Sequence, residues 1–101
     1  MKNFIELMEG QRVWFEGERF AYTIKAADKR FAVCTKPFNL KQTVLYTIVD
    51  QERGIRGTEN LIFCMGYETD EKCKDALKRL VSRESEVSHR NYVRLKITAV
   101  L

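Results

Sequence analysis

Histidine, proline and tryptophan each occur once in these 101 residues, and cysteine only three times. Each scarcity removes a kind of chemistry. A lone histidine, His89, and no CxxC pair among Cys34, Cys64 and Cys73 leave too few ligands for a zinc centre. The cysteines are odd in number, and Cys34 and Cys64 lie in apolar strand-like runs. They read as buried, reduced thiols and place the chain in a cytoplasm. No run approaches the ~18 apolar residues of a membrane span. MKNFIELMEG has no apolar stretch ahead of a cleavage site, so no signal peptide is expected. There is no P-loop, GxGxxG, HExxH or GxSxG. Gly54 and Gly57 in RGIRG are too few and too spaced to cradle a phosphate. With His89 the only ordinary neutral-pH base, the expectation is a protein that is not an enzyme and needs no cofactor or metal.

A hydrophobic content of 45% against 32% charge is a globular composition, and the length suits one domain, 1–101. Periodicity divides it. QRVWFE (11–16) alternates Val13 and Phe15 against Arg12 and Trp14. EGER (16–19) is a turn. RFAYTIKAA (19–27) puts Phe20, Tyr22, Ile24 and Ala26 on one face. A turn at Asp28 and Lys29 leads into RFAVCTK (30–36), which Pro37 should end or confine to an edge. TVLYTIVD (43–50) reads as a central strand covered on both faces. QERGIRGTEN (51–60) reads as a loop, and LIFCMG (61–66) as a strand. The period then changes: Cys73, Ala76, Leu77, Leu80 and Val81 form one stripe of a helix over 70–84, with Thr69 as N-cap. YVRLKITAV (92–100) alternates again, with Val93, Leu95, Ile97 and Ala99 inward. A short helical turn is expected over 3–9, stopped by Gly10. The fold class is α+β: an antiparallel β-sheet or small SH3-like barrel of five to six strands, with one amphipathic helix before the last strand.

Lysine and arginine exceed the acids by four, a mild bias toward anionic partners. The arginines gather near element ends, where a scaffold presents binding groups. Arg90 and Arg94 flank Asn91 just after His89 in EVSHRN (86–91). A guanidinium fork grips phosphate bidentately, and an amide reads a base or ribose edge. Arg56 supplies a further cation, Phe38 and Tyr92 stacking surfaces, and Asn60 a second amide. The ordinary role of such residues is a solvated surface. Together they outline a ligand site: Arg90, Asn91, Arg94, Arg56, Phe38, Tyr92, Asn60 and His89. A long nucleic acid would ask for a broader basic stripe, and the helix mixes acids with its lysines.

TKPFN (35–39), TVLYTIVD (43–50), RGTENLIF (56–63), GYET (66–69) and EVSHRN (86–91), in that order, resemble segments of small phage- and prophage-encoded proteins. The resemblance spans about residues 10 to 97. It implies an anti-defence protein in the host cytoplasm, akin to the sponges that sequester cyclic nucleotide signals of Thoeris defence between subunits of an oligomer. The implied partners are a small anionic nucleotide, a second copy of the chain, or a host defence protein, with no membrane. The alternatives are an inhibitor of a complex such as a CRISPR effector, a small nucleic-acid-binding accessory protein, and a small hydrolase built on His89.

Overall fold

The computed structural model describes residues 4–38, 43–61 and 69–101. Its strands are β1 (Arg12–Phe15), β2 (Tyr22–Ala27), β3 (Phe31–Phe38), β4 (Thr43–Asp50), β5 (Ile55–Glu59), β6 (His89–Arg94) and β7 (Ile97–Val100). A helix, α1 (Asp70–Ser82), and a 3-10 turn over Glu84–Glu86 lie between β5 and β6. The protein is α+β, with a seven-stranded antiparallel sheet in the order β6-β5-β4-β3-β2-β1-β7.

Among the described residues seven strands replace the five or six expected, for two reasons. Residues 51–60, read as a loop for their glycines, turn at Gly54 (φ +68°) and return as β5 beside β4. The final run divides into β6 and β7, with only Leu95 and Lys96 between them. The strand expected over 61–66 lies outside the described residues except for Leu61, as do Cys64 and Tyr67.

The two end strands of the sheet are thus consecutive in the chain. The Leu95 amide donates to the Gly54 carbonyl at 2.9 Å, on the β5 side. The Lys96 carbonyl accepts from the Glu16 amide at 2.9 Å, on the β1 side. The sheet curves until one continuous segment joins its ends.

Two apolar clusters occupy opposite faces of β3 and β4. One packs Ala26, Phe31, Val33 and Ile48 under Cys73, Ala76 and Leu80 of α1, with Val87 beside them. The other gathers Leu7, Val13, Phe15, Tyr22, Ile24, Ala32, Cys34 and Val49, with Leu95, Ile97 and Val100 against it. The expected covering of TVLYTIVD on both faces holds from Thr47 to Asp50, whereas Leu45 in its first half is exposed. Full burial of a side chain the size of Phe15 or Phe31 stabilises by about 1.5–3 kcal/mol. Burial also pushes the Cys34 thiol up to about 12, so it is inert at neutral pH.

Several alternations slip where the ladder does. A register shift between Ile24 and Ala26 turns Ala26 from the inner face toward α1, and Phe20 precedes β2 with 65% of its surface exposed. Another shift, at Trp14 and Phe15, brings Val100 rather than Ala99 inward, and Val93 is exposed. β3 does not stop at Pro37, which pairs with Val44. The β2–β3 ladder ends at Thr35, so Pro37 lies on a stretch that β2 does not pair and its missing N–H is tolerated.

The helix begins as expected: the Thr69 hydroxyl accepts from the Lys72 amide at 3.1 Å, with Asp70 and Glu71 in the first turn. It ends at Ser82, and Val81 at its last turn is exposed rather than packed. Residues 4–8 are not helical. The Gln51 carboxamide takes both backbone groups of Ile5, at 2.8 and 2.7 Å, and ties that segment to the end of β4. Among the described residues no helix is long and apolar enough to cross a membrane.

Candidate functional site

The turns around β3 and β4 bring four ionisable side chains into the interior. Asp28 Oδ1 accepts from the amides of Arg30 and Phe31 at 3.1 and 2.7 Å, which shapes the β2–β3 turn. Arg30 leaves that turn across the Phe31 ring, 4.5 Å from its centroid, and grips Asp50 with both arms. Its Nε donates to Oδ1 at 2.9 Å and its Nη2 to Oδ2 at 3.0 Å. Asp50, at the end of β4, also accepts from the Glu52 and Arg53 amides at 3.1 and 3.3 Å. Burial raises the Asp50 carboxyl, but the Arg30 fork and the Arg53 amide outweigh it and hold it below the usual range. It is a buried carboxylate, and Arg30 is its counter-ion.

His89 stands between that carboxylate and a second one. Its Nε2 lies 3.0 Å from Asp50 Oδ2, and its Nδ1 lies 2.6 Å from Glu59 Oε1. Glu59 is fully buried, and its side-chain oxygens and Nδ1 form no regular hydrogen bond. The 2.6 Å separation makes the two groups a contacting pair whose protonation states are coupled. Desolvation lifts the Glu59 carboxyl to about 8, and the Asp50 charge adds to the rise. Desolvation lowers the His89 imidazole, against the pull of Asp50. Both directions assign the proton to Glu59 at neutral pH, with Nε2–H directed at Asp50. The side chain of His89 is 4% exposed. It is not the loop donor expected from EVSHRN, because β6 begins at His89 and pairs it with Glu59.

Arg90, Asn91, Tyr92 and Arg94 follow on β6, exposed on both of its faces. Gly57 of β5 faces Tyr92, and a Cβ there would meet the Asn91 carbonyl oxygen at 1.9 Å. That close approach gives the floor of a cleft of about 520 Å³, lined by Tyr22, Arg56, Arg90, Asn91, Tyr92 and Val93 among others. Tyr92 is 57% exposed, and its ring meets the His89 ring edge-on at 5.9 Å. Arg56 lies flat over Phe15, 4.4 Å from the ring centroid, and reaches Glu18 at 3.4 Å. Lys36 donates to the same Glu18 carboxylate at 2.8 Å, the main reason its pKa is lowered.

Arg94 does not join Arg90. It lines a neighbouring cleft of about 560 Å³ with Glu16, Glu18, Arg56 and Lys96. The two clefts share Glu18, Arg56 and Val93, so Arg56 stands between the outer arginines. Asn60 is committed elsewhere: its Oδ1 accepts from the Ser88 amide at 2.7 Å and its Nδ2 donates to the Glu86 carbonyl at 3.2 Å. It fastens the segment entering β6 and reads no ligand edge. Phe38 closes β3, and its side chain lies outside the described residues.

Sequence reading missed Arg30, Asp50 and Glu59. Asp50 had a signal, since it closes an apolar strand. Glu59 had none, because its stretch reads as a loop. Among the described residues no three His, Cys, Asp or Glu side chains are grouped to hold a metal ion. Comparison with protein-family models, curated proteins and solved structures finds no match to this chain.

Proposed function

We propose that this chain is a non-catalytic binding protein that captures a small phosphorylated nucleotide in the cleft between β5 and β6. The observation that carries this is the placement of Arg56, Arg90, Asn91 and Tyr92 around one open recess of about 520 Å³. That volume is in the range of small-ligand sites, about 300–1,000 Å³. Tyr92 offers a ring for a base, Arg90 a fork for phosphate, and Asn91 an edge-reading amide. The scaffold is a small SH3-like barrel, closed by the segment that runs from β6 into β7. With the resemblance to phage-encoded proteins, the biological reading is sequestration of a cyclic nucleotide signal in the host cytoplasm.

Affinity requires a second wall. Nanomolar capture is about −12 kcal/mol. Two charge-assisted hydrogen bonds supply about 3–6 kcal/mol, and the recess is open. β6 is exposed at consecutive positions from Arg90 to Arg94, on both of its faces. A second copy of the chain laid over β6 would cover Tyr92 and Val93 and enclose the ligand, so the protein acts as a homo-oligomer.

Calorimetry against cyclic ADP-ribose isomers and cyclic oligonucleotides tests the reading, with light scattering for the oligomer. Saturable binding to one of them, lost in Arg90→Glu, is expected. Silence across the panel would end the proposal. A stoichiometric host protein recovered in its place would move the function to inhibition of a defence complex.

A further inference from the structure

A third cleft, on the outside of β1 and the end of β3, has a different chemistry. It encloses about 590 Å³, and its lining includes Arg12, Trp14, Arg19, Phe20, Lys36 and Pro37 but no carboxylate. Trp14 lies on the outward face of β1, opposite to the buried Val13 and Phe15. Phe20 stands on the β1–β2 connection with 65% of its surface in solvent. Each ring has a guanidinium beside it: Arg12 is 5.2 Å from the Trp14 centroid and Arg19 is 5.5 Å from that of Phe20. Neither arginine has a carboxylate partner among the described residues, whereas Lys36 pairs with Glu18, outside the lining.

We infer that this cleft binds single-stranded nucleic acid, with bases stacked on Trp14 and Phe20 and phosphates held by Arg12 and Arg19. Aromatic rings alternating with cations, free of acids, match the alternation of flat bases and phosphates along an unpaired strand. A duplex keeps its bases stacked on one another and cannot offer them to these rings. An acidic peptide would satisfy the cations but leave the exposed rings without flat partners. The inference rests on other side chains than the nucleotide cleft, so either can fail alone.

Trp14 is the only tryptophan of the chain and therefore reports on the site directly. The full chain is titrated with labelled oligothymidine and oligouridine of about 12 nucleotides, within the span one small β-fold covers. Trp14 emission and probe anisotropy are followed together. Either strand should quench Trp14 and tumble more slowly on binding, and the two arms tell DNA from RNA. Phe20→Ala, a change at an exposed position, should weaken binding about 5-fold or more, since stacking contributes about 1–3 kcal/mol per base. Arg19→Gln should lower the salt slope by about 0.7, the contribution of one phosphate on a single strand. No quenching and no anisotropy change with either strand would overturn the inference. So would equal affinity for the duplex, equal quenching by oligoglutamate, or binding that is lost in Arg90→Glu yet unchanged in Phe20→Ala.

Discussion

Replacing Glu59 by glutamine should stabilise the protein at alkaline pH and change it little at acid pH. Glu59 is fully buried, and its carboxyl titrates near 8 in the fold against 4.5 ordinarily. Below 4.5 both folded and unfolded chains keep the proton, so the fold suffers no penalty. As pH rises through the interval from 4.5 to 8, the unfolded chain releases the proton first and stability falls. At about 1.4 kcal/mol per pH unit, the loss between pH 5 and pH 8 is on the order of 3 kcal/mol. Glutamine has no proton to lose, and its amide can still donate to His89 Nδ1. His89 works with the opposite sign: its pKa is depressed, so its contribution is present above 6.5 and fades as pH falls below that. The two groups are in contact, so the comparison reads the titration of the pair, with Glu59 setting the alkaline side. Urea unfolding followed by Trp14 emission, at pH 5 and pH 8, measures the gap. With a slope of about 1–2 kcal/mol per molar urea, the midpoint of Glu59→Gln should lead that of the parent by about 1.5–3 M at pH 8 and by much less at pH 5. An equal gap at the two pH values would refute the argument. So would a nuclear-resonance titration showing His89 charged at pH 7, because the proton would then sit on the ring.

Three further outcomes follow from the same geometry. Arg30→Met strands the buried Asp50 charge and should destabilise by about 3–5 kcal/mol; adding Asp50→Asn should restore much of this in thermal melts. Gly57→Ala puts a methyl 1.9 Å from the Asn91 carbonyl oxygen, so β5 and β6 must part. A loss of about 2–3 kcal/mol is expected, with amide protection lost at Tyr92 before it is lost in α1. Thr69→Ala removes the helix cap and should lower stability by about 1 kcal/mol in chemical denaturation, leaving ligand binding unchanged.

Most elements were legible because their patterns are local. Val13 and Phe15, the apolar run of β4 and the stripe of Cys73, Ala76 and Leu80 follow directly from side-chain period and burial. The failures share a cause. β5 has a central glycine, Gly57, and no alternation, and it becomes a strand only because β4 and β6 offer it edges on either side. The inward positions of β2 and β7 slipped at register shifts, which depend on the partner strand. Residues 4–8 lost their helix to the Gln51 carboxamide, a side chain far along the sequence. In the site, Arg90, Asn91 and Tyr92 meet around one cleft as their spacing allowed, but Arg94 falls in the next one and Asn60 is spent on backbone.

Composition and periodicity by themselves determined the α+β class, with a capped helix before the last strands, because side-chain direction along a strand or helix is a property of the local backbone. The environment of each ionisable group was decided only in three dimensions. His89 and Glu59 become a buried contacting pair when β5 and β6 align, and the Asp50 carboxyl is held below its usual range when Arg30 reaches it from another turn. Charge and proton affinity answer to distance and desolvation, and both are set by the packing of segments remote in the chain.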